Sequence, residues 1–249
     1  MSSRLRPVVL IHGFIGSLDE PALRDNLGVH PLLAPALLGY GTNASVNPTT
    51  INLPAQAEHV SRAVYERFGT ERVHIVGHSV GGVVGALFAY QHPEQVASMV
   101  SIEGNFTLGD AFWSASVGRM SESEAGAMLD GFRADPAAWL AKSGVTPTPA
   151  RTETAARWLA MQPASTLRAM GRSVVEITSV PAYQDLLRTV FARVPVHLVS
   201  GERSRAGWDV PEWALRQAAS NQLIPGVGHM MMLEDTDGFG QLVARIVAR

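Results

Sequence analysis

The chain has 249 residues, 46% hydrophobic and 17% charged, which is the composition of an ordinary folded domain with enough length for a substantial core. A net charge of −2, with arginines scattered and no basic run, argues against nucleic acid or an anionic membrane as a partner. There is no cysteine, which removes disulfides, thiol nucleophiles and thiolate metal sites.

In chain order, PVVLIHG (7–13) is a short β-branched run closed by glycine, as expected of a strand buried on both faces. The run is too short for a signal peptide or a membrane span, so a cytoplasmic protein is expected. A short helix is expected over 18–27, and a short strand that breaks into a Pro/Gly loop over 30–41. In 53–69 the apolar residues Ala57, Val60, Val64 and Phe68 recur at helical spacing, and Gly69 marks the stop. A strand over 72–77 leads into a small-residue helix over 80–92, followed by a strand over 96–102. The segment 106–192 lacks strand-like runs and carries Trp113, Trp139 and Trp158 with Met120, Met128, Met161 and Met170, so it reads as a helical insertion. Strands over 194–201 and 221–226 flank a helix over 211–219, and a helix over 239–249 closes the chain. This alternation predicts an α/β fold: a doubly wound, mostly parallel sheet of about six strands, with a core of 1–105 and 193–249 and a cap formed by 106–192.

The stretch GHSVGG (77–82) joins a strand to a helix, and in that context G-x-S-x-G carries meaning. The sharp turn lifts the Ser79 hydroxyl above the sheet, and a side chain at Gly77 or Gly81 would collide with neighbouring backbone. The amide of Val80 then lies at a helix N-terminus. In LIHGF (10–14) the His12–Gly13 pair permits a second sharp turn, after which the amide of Phe14 converges with that of Val80 on one point, as an oxyanion hole requires. His229, in the glycine-rich loop PGVGHMMMLED (225–235), is the histidine placed to reach the same sheet edge and to take the serine proton. His30, His59, His74, His78, His92 and His197 read as structural. VASMVSI (96–102) ends in Glu103, a charge that an apolar strand tolerates only with a partner or at a solvated end.

In this chain order, HGF, GHSVGG, a helical insertion and GVGHMMMLED resemble the α/β-hydrolase superfamily over essentially the whole sequence. The resemblance implies a Ser–His–acid triad, and it departs from the common pattern twice. The strand ending at His12–Gly13 comes first, so the N-terminal strand pair common in this fold is expected to be absent. The resemblance also places the acid after the penultimate strand, in a loop reading G-x-x-D, where SGERSRAGWD has Ser204. Some members, haloalkane dehalogenases and certain lactonases among them, carry the acid after the preceding strand, which here is Glu103. Glu103 is therefore assigned as the acid. Glu202 and Asp209 remain as alternatives, Asp209 reading as the N-cap of the helix over 211–219, and Asp110 comes last.

The expected activity is that of a serine hydrolase acting on a carboxylic ester or lactone. A thioester, amide or carbon–carbon bond on the same triad is the alternative, as is a ligand-binding protein with negligible turnover. The insertion is expected to cover the site. His12, Trp113 and Met230 are candidates for the pocket wall together with Phe14, and the remaining cap tryptophans and methionines divide between pocket and core. No basic cluster in the cap suggests an anion clamp, so a small to medium, largely apolar, uncharged substrate is expected. No cofactor is expected, and no metal. The expected partner is the small-molecule substrate alone, for a monomer or homodimer without a membrane span.

Overall fold

The computed structural model describes residues 5–248, in which six parallel strands form one open sheet. These are β1 (Val8–Ile11), β2 (Leu32–Leu33), β3 (Val73–His78), β4 (Val96–Ile102), β5 (Val196–Gly201) and β6 (Ser220–Ile224), in the order β2-β1-β3-β4-β5-β6. The helices are α1 (Pro21–Leu27), α2 (Leu53–Phe68), α3 (Val80–Gln91), α4 (Phe112–Arg119), α5 (Glu122–Ala134), α6 (Pro136–Lys142), α7 (Pro149–Ala160), α8 (Ala164–Thr178), α9 (Pro181–Arg193), α10 (Glu212–Gln217), α11 (Met231–Glu234) and α12 (Thr236–Val247). Every residue of β1, β3 and β5 is buried, as strands covered on both faces require. One helical layer is α1 against α12, and the other is α3 flanked by α2 and α9. Each fully buried Val, Ile or Leu of this core contributes about 1.5–3 kcal/mol. Among the described residues no helix is long and apolar enough to cross a membrane.

Local chemistry explains where these elements differ from the sequence expectations. The second strand shrinks to two residues because Pro31 and Pro35 flank it and cannot donate to a ladder. The first helix begins at Pro21, a residue suited to a first helical turn, three residues later than expected. The last helix begins before 239 because Asp235 caps it, accepting from the Gly238 amide at 3.0 Å. The helix over 211–219 is shorter than expected, and Asp209 does not cap it: its N-cap is Pro211, with no side-chain hydrogen bond.

From β1 the chain runs out to the edge strand β2, returns to β3 on the other side of β1, and then winds outward through β4, β5 and β6. The winding direction reverses between β1 and β3, which opens a crevice at their C-terminal ends. Between β4 and β5 the described chain is helical from Phe112 to Arg193, apart from short connections. Helix α8 ties this segment to the core, because the Ser173 hydroxyl accepts from the Leu53 amide at 2.9 Å. Helix α9 packs against α3 and α10, so the end of the segment lies in the layer covering the sheet.

Candidate active site

Ser79 and Glu103 are the only non-glycine residues among the described ones with positive φ, at 53° and 43°. Such a conformation costs on the order of 1–3 kcal/mol and persists only where surrounding contacts over-determine it. Ser79 sits between β3 and α3, and its amide donates to the Ile102 carbonyl at 2.9 Å. The turn is tight enough that a Cβ on Gly77 would lie 2.5 Å from the Gly81 carbonyl oxygen, and one on Gly81 would collide with the Ile11 carbonyl. The Val80 amide is one of the orphan donors of a helix start. Neither it nor the Phe14 amide makes a backbone hydrogen bond between elements among the described residues. The Phe14 carbonyl is held by the buried Tyr40 hydroxyl at 3.0 Å, which fixes the orientation of the turn after β1.

Glu103 lies directly after β4, and its side chain is only 4% exposed. Its Oε2 stands 2.6 Å from Nδ1 of His229, in the loop between β6 and α11, and its Oε1 accepts from the Gly201 amide at 2.9 Å and the Ser204 hydroxyl at 2.5 Å. Burial pushes the Glu103 carboxyl up, but His229 and these two donors outweigh it and hold the group below the ordinary carboxylate range. The His229 side chain is 43% exposed, so the carboxylate lies behind the imidazole and Nε2 is left for the cavity. His78 donates from Nε2 to the His229 carbonyl at 3.0 Å, and the two rings lie 4.6 Å apart. Burial, and then the charge His229 carries when protonated, push His78 well below the usual imidazole range, so it stays a neutral donor.

These groups open onto one cavity of about 620 Å³. Phe14, Ser79, Val80, Glu103, Trp113, His229 and Met230 all line it, so the structure gathers seven of the eight expected site residues. Trp113 meets Phe14 edge-on at 5.1 Å. His12 is the exception: it is not part of the wall, because its buried ring packs edge-on against Tyr40 at 4.7 Å and its Nδ1 pairs with the Gly13 carbonyl at 2.8 Å. Among the described residues no direct hydrogen bond joins Ser79 to His229, a contact that commonly tightens only with substrate bound.

The other carboxylates are engaged elsewhere. Glu202 accepts from the Gly226 amide at 2.8 Å and Asp209 from the Thr107 hydroxyl at 2.6 Å. Asp110 does line the cavity, where its oxygens take the amides of Phe106, Thr107 and Asp209; burial, against these donors, pushes its carboxyl up.

The cap's large residues divide. Trp139 and Trp113 line the cavity, whereas Trp158 is buried and donates to Glu20 at 2.8 Å. Met120, Met128, Met161 and Met170 all pack against the hydrophobic core and none reaches the cavity. Phe132, Lys142, Arg203, Ser204 and Trp208 are among the other lining residues, and the sequence does not place them there because their approach depends on how separate helices and loops pack. For Ser204 a signal did exist, a hydroxyl at the position where the resemblance expects an acid. Among the described residues no group of three or more histidine or carboxylate side chains has the geometry of a metal site.

The sequence matches the Alpha/beta hydrolase family over residues 8–242. It is 27% identical over 117 residues to Lipase 1 of Psychrobacter immobilis, covering 47% of this chain and 35% of that protein. It is 31% identical over 99 residues to Probable lysophospholipase BODYGUARD 1 of Arabidopsis thaliana, covering 37% of this chain and 21% of that protein. The matches thus span well under two thirds of these relatives' length. In three dimensions the chain resembles a thermophilic esterase from Thermogutta terrifontis, with a TM-score of 0.76 at 19% identity, covering 98% of this chain and 89% of that one. The family match spans nearly the whole chain, and the six-stranded parallel sheet agrees with it: the protein belongs to the α/β-hydrolase family.

Proposed function

We propose that the protein is a serine hydrolase of carboxylic esters, lactones included, working through an acyl-enzyme on Ser79. The observation that carries this reading is the 2.6 Å pair of His229 and the buried Glu103, opening onto the same cavity as a serine held at φ 53° on a strand-to-helix turn. The lipase, lysophospholipase and esterase names among its relatives support the same bond type.

The Ser79 hydroxyl attacks the ester carbonyl while its proton passes to His229 Nε2. Glu103 holds the imidazole through Nδ1 and stabilises it when charged. The amides of Phe14 and Val80 receive the oxyanion, each donor being worth roughly 10²- to 10³-fold in rate. His229 returns the proton to the departing alcohol. It then deprotonates a water, which attacks the acyl carbon, releases the acid and restores the Ser79 hydroxyl. Phe14, Trp113, Phe132, Trp139 and Met230 offer an apolar wall to the body of the substrate.

A fluorophosphonate probe tests the nucleophile: an adduct on Ser79, absent in Ser79→Ala, is expected, and a protein that remains unlabelled contradicts the reading. p-Nitrophenyl esters of graded chain length, assayed beside a few lactones, then rank the acyl group.

A further inference from the structure

Lys142 is the only lysine among the 249 residues, against nineteen arginines. It is the last residue of α6, and it lines the cavity together with its neighbour Ser143 and with Trp139, one turn earlier. No hydrogen bond or ion pair engages its ammonium among the described residues. The second cation of the wall, Arg203, is already committed: it pairs with Glu234 and donates to the Gly144 carbonyl at 3.0 Å. That last bond pins the turn that follows Lys142. Of the wall's carboxylates, Glu103 is paired with His229, and Asp110 accepts from three backbone amides. One exposed, uncommitted positive charge therefore stands at a wall to which Trp139 and Phe132 contribute apolar rings, 6.3 Å apart between centroids.

We infer that the cavity takes an ester whose apolar body ends in a carboxylate, and that Lys142 with the Ser143 hydroxyl forms the subsite for that anion. The inference rests on the ester-hydrolase reading of the same cavity and replaces the uncharged substrate expected from sequence. The absence of a basic cluster in the cap is a property of neighbours in sequence, whereas the exposed Lys142 meets the cavity through the way α6 packs. A compact ammonium on a flexible stem meets a monoanion without demanding bidentate geometry. A phosphate dianion is disfavoured, because Asp110 and Glu103 already place negative charge in the same wall and only one free cation opposes it.

Two pairs of esters test this in the wild type and in Lys142→Gln: mono-p-nitrophenyl glutarate against p-nitrophenyl pentanoate, and 4-carboxyphenyl butyrate against 4-carbamoylphenyl butyrate. The variant is expected to raise KM for the charged member of at least one pair about two- to fivefold more than for its neutral partner, as an exposed ion pair allows. The wild-type preference for that charged ester should shrink with added salt. Because the ε-amine is unique, acetylation of the protein should reproduce the effect of Lys142→Gln, and reductive methylation, which keeps the charge, should not. A charged-to-neutral ratio of kcat/KM that is the same in wild type and variant for both pairs overturns the anion subsite. If no ester is turned over and Ser79 resists the fluorophosphonate, the hydrolase reading fails separately. Calorimetric titration with glutarate then still decides the subsite, binding lost in Lys142→Gln supporting it and equal or absent binding in both proteins overturning it.

Discussion

The loops that follow β4 and β5 leave adjacent strands and each carries carboxylates, yet only the first presents one to His229. After β4, Glu103 sits at positive φ with its amide bonded to the Val199 carbonyl at 3.0 Å. The next three carbonyls are each held from elsewhere: Gly104 by Trp208 Nε1 at 2.8 Å, Asn105 by the Tyr183 hydroxyl at 2.7 Å, and Phe106 by Gln184 at 2.5 Å. After β5, Glu202 and Asp209 turn to the Gly226 amide and the Thr107 hydroxyl, and the side chain that faces inward is Ser204, a donor to Glu103. One loop is fastened at three successive carbonyls and carries the charge. The other supplies the hydrogen bonds that keep that charge ionised when it is buried. A strained, buried acid is thus held where successive backbone carbonyls are tied down and the neighbouring loop donates to its carboxylate, and not where a family pattern would place it.

The largest test of that contrast sets Glu103→Gln against Asp209→Asn. Glu103→Gln keeps the shape but removes the charge that, in the proposed mechanism, stabilises the imidazolium, and should lower kcat about 10²- to 10⁴-fold on a p-nitrophenyl ester. Asp209→Asn, which retains an acceptor for Thr107, should stay within about twofold. If Asp209→Asn proves the severe variant, the roles assigned to the two loops are reversed.

Ser204→Ala probes the supporting loop itself. Removing one of two donors to Glu103 Oε1 should reduce kcat about three- to tenfold, with KM for a short neutral ester changing less. No change in kcat means that Ser204 is a bystander. Trp208→Phe takes away the tie on Gly104, and the buried carbonyl left behind should cost about 1–3 kcal/mol in urea unfolding, with part of the loss appearing as lower kcat.

The smallest expected effect is the pH dependence of stability. The Glu103 carboxyl is held below its unfolded value of 4.5, so the unfolded chain binds more protons as pH falls through that range. Its contribution is therefore fully present above the unfolded pKa and is lost as pH drops through the folded one. Urea midpoints measured stepwise below pH 5 should fall less steeply for Glu103→Gln than for the wild type. Parallel slopes for the two proteins contradict an ionised, stabilised Glu103.

Much of this arrangement can be read along the chain, because it depends on residues close in sequence. Hydrophobic runs and the stop at Gly69 locate most strands and helices, and GHSVGG between a strand and a helix singles out Ser79. Glu103 stands out as a charge directly beyond the buried strand β4, and His229 as a histidine in the glycine-rich loop that follows β6. Asp235 as a helix cap and the two-residue β2 are local features that a closer weighing of Asp and Pro would have found.

What the sequence by itself determined is the order of parts: a parallel α/β sheet, a helical segment between β4 and β5, and a serine, an acid and a histidine each just past a strand. What only the tertiary structure decided is which of the competing side chains meet. His12 turns to Tyr40 and away from the cavity wall, the cap methionines go to the core, and Lys142 arrives at the wall from a helix far along the chain. The physical reason is one of range. Strand and helix signals come from neighbours a few residues apart, whereas a cavity wall is assembled by helix packing and loop ties between residues separated by 100 positions or more, as in Ser204 to Glu103 and Trp208 to Gly104.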